Sequence, residues 1–249
     1  TGKGIVVLDV GSTNVKSTLF DHSLNVIRSR SISSTWVNDP YLHIDIEPAM
    51  EFISQTIWEY DQILPVDAIV PTSHGSALAL LGANGELALP IMAYEADIPD
   101  DICTQYRSVS PPFDEVFAPV NPRALTLARQ LFWQEARYSQ AFETVKTILP
   151  LAQYIAYRLC GEAVSEVTAL GAQTHLWDPV NRQFSNLAIK RGWAQKFAPI
   201  VDAWHSLGPL QGLEIIGQGI IHAGIHDSNA NLLRYLKQMP FCLLSTGTW

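Results

Sequence analysis

The chain has 249 residues, 47% hydrophobic and 16% charged, a balance that excludes long disordered, collagen-like or coiled-coil stretches. A compact chain of this size buries roughly three quarters of its unfolded surface, enough for a core without staples, and its length fits one or two domains. With 16 Lys and Arg against 24 Asp and Glu the net charge is −8, the wrong sign for gripping nucleic-acid phosphates.

Gly4 to Val10 is a short β-branched run that predicts a buried strand. Asn14 to Asp21 and Leu24 to Ser31 alternate around a turn at Asp21-His22-Ser23, giving an antiparallel meander. Pro48 suits the first turn of a helix whose face is Ala49, Ile53, Ile57 and Tyr60. Asp67 to Thr72 reads as a strand, followed by a hairpin of 77–81 and 86–90 around Asn84-Gly85. Prolines and acids between 97 and 122 predict an excursion from the sheet. Two amphipathic helices follow, one through Ala124, Leu127, Ala128 and Leu131, the other through Ile148, Leu151, Ile155 and Leu159 with Gly161 as its cap. Ser165 to Trp177 reads as moderately helical, stopping at Asp178-Pro179. Ile215 to Gly224 reads as strand, Ser228 to Lys237 as helix and Pro240 to Ser245 as a last strand.

Cys103, Cys160 and Cys242 are widely spaced with no Cys-x-x-Cys pair, which predicts reduced thiols. No apolar run approaches about 18 residues and no signal-peptide pattern opens the chain. A cytoplasmic protein with no membrane partner is expected.

Three stretches carry candidate chemistry. In Asp9-Val10-Gly11-Ser12-Thr13-Asn14-Val15-Lys16 a strand delivers an acid beside a small-residue turn, which either lets backbone N–H groups approach a phosphate or is a plain hairpin turn with Asp9 as a capping acid. Neither Walker nor dinucleotide-binding spacing is present. In Gly224-Ile225-His226-Asp227, Asp227 lies where a strand meets a helix, as a helix N-cap or as a general base. A metal pair of His222 and His226 needs a helix that Gly224 disfavours. In Ser245-Thr246-Gly247-Thr248-Trp249 a second strand runs into a hydroxyl-rich glycine turn.

Those stretches, with Ser73-His74-Gly75 and the Pro90 to Asp97 segment, stand in the order of a known family: the chain resembles the FGGY carbohydrate kinases of the actin, Hsp70 and hexokinase superfamily. The resemblance implies an α/β, ribonuclease-H-like (actin-type ATPase) domain with a mixed five-stranded sheet flanked by helices. On it, residues 1–249 are the N-terminal, sugar-binding domain with an insertion around 97–122, and the C-terminal nucleotide-binding domain lies outside this chain, leaving the piece alone inactive. The implied reaction is ATP-dependent phosphorylation of a ketose, a pentulose or deoxyhexulose, with ATP and Mg2+ as cofactors. Asp227 resembles the catalytic base and Asp9 the magnesium-ordering acid. Gly11, Ser12, Thr13, Asn14 and Lys16 resemble one phosphate loop, and Thr246, Gly247 and Thr248 the other. His74, Gly75, Tyr94, Glu95 and His226 resemble sugar-side groups. Relatives carry Trp-x-Asp-x-Arg where this chain has Tyr94-Glu95-Ala96-Asp97, so either acid is a candidate, with Glu95 favoured. The partners implied are a sugar and the second domain, with a homodimer left open. The rival readings are a nucleotide switch like actin or Hsp70 and a sugar-binding module without catalysis.

Overall fold

A computed structural model describes residues 2–238, 240–242 and 244. The meander forms as expected: β1 (Gly4–Val10), β2 (Asn14–Asp21) and β3 (Val26–Ser33) are consecutive antiparallel neighbours. Along β1 the alternation is one-sided: Val6, Leu8 and Val10 are buried, Ile5 and Val7 half-covered, and Asp9 exposed. A ribbon of β4 (Thr35–Asn38) and β5 (Leu42–Asp45) leads to α1 (Glu47–Ile63), with Pro48 in its first turn. Tyr60 of α1 is fully buried and its hydroxyl donates to the Ser17 carbonyl at 2.9 Å, tying the helix to β2. The chain then returns as β6 (Val66–Ser73), parallel to β1.

The hairpin β7 (Leu78–Leu81) and β8 (Leu87–Leu89) leaves this sheet. Residues 97–122 hold α2 (Asp100–Arg107) and α3 (Phe113–Val116), and beyond them come α4 (Leu127–Arg137) and α5 (Ser139–Thr144). Next, β9 (Thr147–Pro150) pairs with β7 and runs straight into α6 (Leu151–Cys160). Ile148 is therefore strand rather than helix, because Pro150 holds its own and the preceding backbone extended. The small sheet β8-β7-β9 separates two cores: on β7, Ala79 and Leu81 join the cluster against the main sheet, Leu78 and Leu80 the cluster under α2 and α4.

Only part of 165–177 is helical: β10 (Ser165–Glu166) precedes α7 (Val167–Gly171), and left-handed Gln173 and His175 stop the helix before β11 (Trp177–Asp178). After β12 (Gln183–Phe184), α8 (Asn186–Lys190) and β13 (Ile200–Val201), the edge strand β14 (Ser206–Pro209) pairs with β15 (Ile220–His222). The strand expected over 215–224 is thus shorter, and it resumes as β16 (Ile225–His226) before α9 (Asp227–Leu233). Residues 240–242 form no strand, and the rest of that expected element, 243 and 245, lies outside the described residues.

The main sheet has seven strands in the order β14-β15-β6-β1-β2-β3, with β16 also on β6. Counting β15 and β16 as one interrupted strand leaves the five expected plus the edge strand β14. No helix among the described residues is long and apolar enough to cross a membrane.

Candidate active site

Three parallel strands end at one level. Asp9 on β1 is in register with Thr72 on β6, and Thr72 with Ile225 on β16; one step on, Val10, Ser73 and His226 align. The next residues are the Gly11 turn, the His74-Gly75 pair and Asp227, so segments more than 60 and 150 residues apart in sequence meet at the carboxyl ends of the central strands. Such strand ends are where open α/β sheets place their ligands.

The turn after β1 is a tight hairpin in which the Gly11 N–H donates to the Asn14 carbonyl at 2.9 Å. Ser34 fastens it twice, its hydroxyl donating to the Gly11 carbonyl at 3.0 Å and its N–H to the Thr13 carbonyl at 2.9 Å. Thr13, Asn14 and Lys16 are exposed, and Ser12 accepts the Tyr94 hydroxyl at 2.8 Å. Asp9 is no capping acid: it sits in the body of a strand. Its surroundings strip water from the carboxylate and the charge of Asp227 opposes ionisation, together raising its pKa against the weaker pull of Lys16.

His74 lies edge-on to Tyr94, ring centroids 5.2 Å apart. Burial holds its pKa down to about 4, so the ring is neutral near pH 7; Asp227 pulls the other way and His226 adds to the lowering. Its Nδ1 faces the Ser76 N–H at 3.3 Å and must accept, which puts the ring hydrogen on Nε2. That Nε2 is buried and has no partner. Oε2 of Glu95 is in the same condition, and burial raises the Glu95 pKa. Both residues line one hollow with Gly11, Ser12, Trp36 and Tyr94. Asp97 instead turns outward, its side chain 90% exposed, and pairs with Arg123 at 3.6 Å. Buried polar atoms are nearly always paired, so two orphans beside one hollow make it the candidate place for a polar group.

Asp227 is the first helical residue of α9, not its cap, which is His226. Among the described residues its carboxylate contacts Ser228, by N–H and by hydroxyl at 3.1 Å, and Nε2 of His226 at 3.2 Å. The His226 ring is turned by Asn229, with Nδ1 2.6 Å from Oδ1. Gly75 is needed for this: a Cβ there would lie 2.9 Å from Nε2 of His226 and 2.7 Å from Cβ of Ala172. Thr246, Gly247 and Thr248 lie outside the described residues.

Sequence reasoning passed over Thr72, whose buried Oγ1 stands unpartnered beside Asp9 in register, and Ser34. It also passed over Thr168, whose hydroxyl accepts the His226 N–H at 3.1 Å, and Glu166, which caps α7 through the Thr168 N–H at 3.0 Å and also binds the Thr168 hydroxyl. Ser34 and Thr168 carry no local signal because their partners at the site, Gly11 and His226, are 23 and 58 residues away. Among the described residues no group of three or more His, Cys, Asp and Glu side chains gathers as a metal site. Asp9 and Asp227 nonetheless offer hard oxygen donors and uncompensated negative charge, which suits a cation that keeps most of its waters.

No family model matches the sequence, and no curated protein matches it. Solved structures do. A carbohydrate kinase from Novosphingobium aromaticivorans is 36% identical with a TM-score of 0.87, over 94% of this chain and 50% of its own. A ligand-bound xylulose kinase from Lactobacillus acidophilus is 18% identical with a TM-score of 0.80, over 93% of this chain and 49% of its own. Plasmodium falciparum glycerol kinase, solved with ADP, is 13% identical with a TM-score of 0.77, over 93% and 50%. The chain spans about half the length of each of these structures.

Proposed function

We propose that this chain, whose fold matches about half the length of solved carbohydrate kinases, is the sugar-holding half of such an enzyme, acting in ATP-dependent phosphorylation of a ketose. The observation that carries the reading is the meeting of Asp9, His74 and Asp227 at the carboxyl ends of the central strands beside a hollow with two orphaned polar atoms, Nε2 of His74 and Oε2 of Glu95. A sugar supplies what those atoms lack: a hydroxyl accepts from the Nε2–H and another donates to the carboxyl.

In this reading Asp227 takes the proton of the attacking sugar hydroxyl as the new O–P bond forms and the bond between the β-γ bridging oxygen and the γ-phosphorus breaks, releasing ADP. His226, 3.2 Å away, orients the carboxylate. The Gly11–Lys16 turn and the Thr246–Thr248 stretch hold phosphates, with Lys16 adding charge. Asp9 would hold Mg2+, and that cation would supply charge neutralisation at the phosphates. Phosphoryl transfer asks for little beyond such positioning and charge. No Lys or Arg lines the hollow and the carboxyl of Glu95 does, which favours an uncharged sugar, pentulose or deoxyhexulose, over a sugar acid.

The test is a panel of ketoses and aldonates in a coupled ADP assay with the complete protein, alongside calorimetric titration of this chain with sugar alone. Sugar-dependent turnover on a ketose and sugar binding by the chain are expected. ATP hydrolysis indifferent to every sugar identifies a nucleotide switch instead, and sugar binding without turnover a binding module.

A further inference from the structure

The strand that delivers Asp227 is irregular at one point. Its first part pairs Ile221 with Ile69 and its second pairs Ile225 with Thr72, so three steps on β6 are matched by four on β15 and β16. The extra residue is a bulge at Ala223-Gly224. Gly224 adopts φ +82°, and a Cβ there would lie 2.3 Å from the Pro71 carbonyl oxygen, so the chain passes where only glycine fits. Side chains alternate faces along a strand, so this one residue decides which face His226 presents and how Asp227 leaves the sheet.

A bulge in a buried strand strands its carbonyls, and here a side chain meets them. Gln153, on α6 and fully buried, points its amide nitrogen at the Ala223 carbonyl, 2.9 Å, and at the Gly224 carbonyl, 3.3 Å. On the other side the Ala223 N–H donates to the His205 carbonyl at 2.9 Å and the Gly224 N–H to the Ala203 carbonyl at 3.1 Å. Oε1 of Gln153 is buried with no partner. A residue kept there for general packing would not leave an amide oxygen unpaired; only the donor end is in use.

We propose that Gln153 is the positioning residue for Asp227, acting through the Gly224 bulge; the inference rests on the reading of Asp227 as the base. It touches no reacting atom and no part of the hollow lined by His74 and Glu95. Its loss therefore acts on the rate of the chemical step and not on sugar binding, because a displacement of about 1 Å at a reacting group costs up to about 100-fold.

The experiment is a double-mutant cycle in the complete protein with Gln153→Met, of similar length but without donors, and Asp227→Asn. Gln153→Met is expected to lower kcat about 10- to 100-fold and leave the sugar KM within about threefold. In the Asp227→Asn background it is expected to cost nothing further, since groups that act as one unit are not additive. An equal loss in both backgrounds, or a rise in KM with kcat intact, overturns the positioning role and leaves the base assignment standing. A wild-type rate for Asp227→Asn alone overturns the base assignment and this proposal with it. Gln153→Asn, whose amide falls one methylene short of the two carbonyls, runs through the same cycle and keeps the question answerable where the methionine variant does not fold.

Discussion

Two buried histidines, one in each half of the molecule, are handled in opposite ways. His175, in the core beneath α2 and α4, has both ring nitrogens engaged: Nδ1 with the Tyr106 hydroxyl at 2.9 Å, Nε2 with the Ala118 and Pro119 carbonyls at 3.1 and 3.0 Å. His74, at the strand ends, has Nδ1 engaged and Nε2 buried without a partner. Burial depresses the pKa of both, so titration alone does not separate them. The carboxylates divide in the same way. Asp178 closes its own turn by accepting from Val180, and from Asn181 by backbone and side chain, which lowers its pKa, whereas the Asp9 pKa is raised. His175 and Asp178 are satisfied by the fold, whereas His74 keeps one buried ring nitrogen that the fold does not satisfy.

The comparison is broken most forcefully at Asp227. Asp227→Ala in the complete protein is expected to lower kcat about 10²- to 10⁴-fold, the usual contribution of a positioned base, with sugar binding retained by calorimetry. Comparable turnover would move Asp227 to the structural side. His175→Ala should then cost about 2–4 kcal/mol of stability in denaturant titration, because it leaves the Tyr106 hydroxyl and two carbonyls with lost bonds in a cavity, and should leave sugar affinity unchanged. His74→Phe should do the reverse: about 10-fold weaker sugar binding for one lost hydrogen bond, and stability within about 1 kcal/mol of the parent. If His74→Phe destabilises as much as His175→Ala, the contrast drawn here fails.

Acid provides the most general effect. His74 titrates at about 4 in the fold against 6.5 in the unfolded chain, and His175 is shifted in the same direction. Between those values the unfolded state binds more protons, so stability rises with pH; the contribution is complete above about 6.5 and is lost as pH falls toward about 4. Melts at pH 7, 5.5 and 4.5 should show that loss, and His74→Gln should flatten it. A loss unchanged in that variant would assign the whole effect to His175 and to the carboxylates.

Much of this was legible in the residue order. Gly4–Val10, the meander, the helix from Pro48 and the β6 strand all announce themselves through local periodicity; Asp9 and Asp227 stand out by type and place beside glycine turns, while His74 and Glu95 are picked out through the family resemblance. Where the reading slipped, a single residue overrode the pattern: Pro150 cut Ile148 from a helix whose face it matches, and left-handed Gln173 and His175 ended a moderately helical stretch early. The sequence by itself therefore determined the elements and the list of reactive groups, since hydrophobic period and turn chemistry are properties of neighbours in the chain. Tertiary structure alone decided which groups meet and which stay unpaired. That Asp97 turns out to Arg123, that Gln153 meets the carbonyls of the Gly224 bulge, and that Ser73 and His226 align before His74 and Asp227 all depend on pairings 26 to 153 residues apart. Such contacts follow from the register of β1, β6 and β16, and a one-residue change of register, invisible in composition or period, would turn the same side chains to the other face.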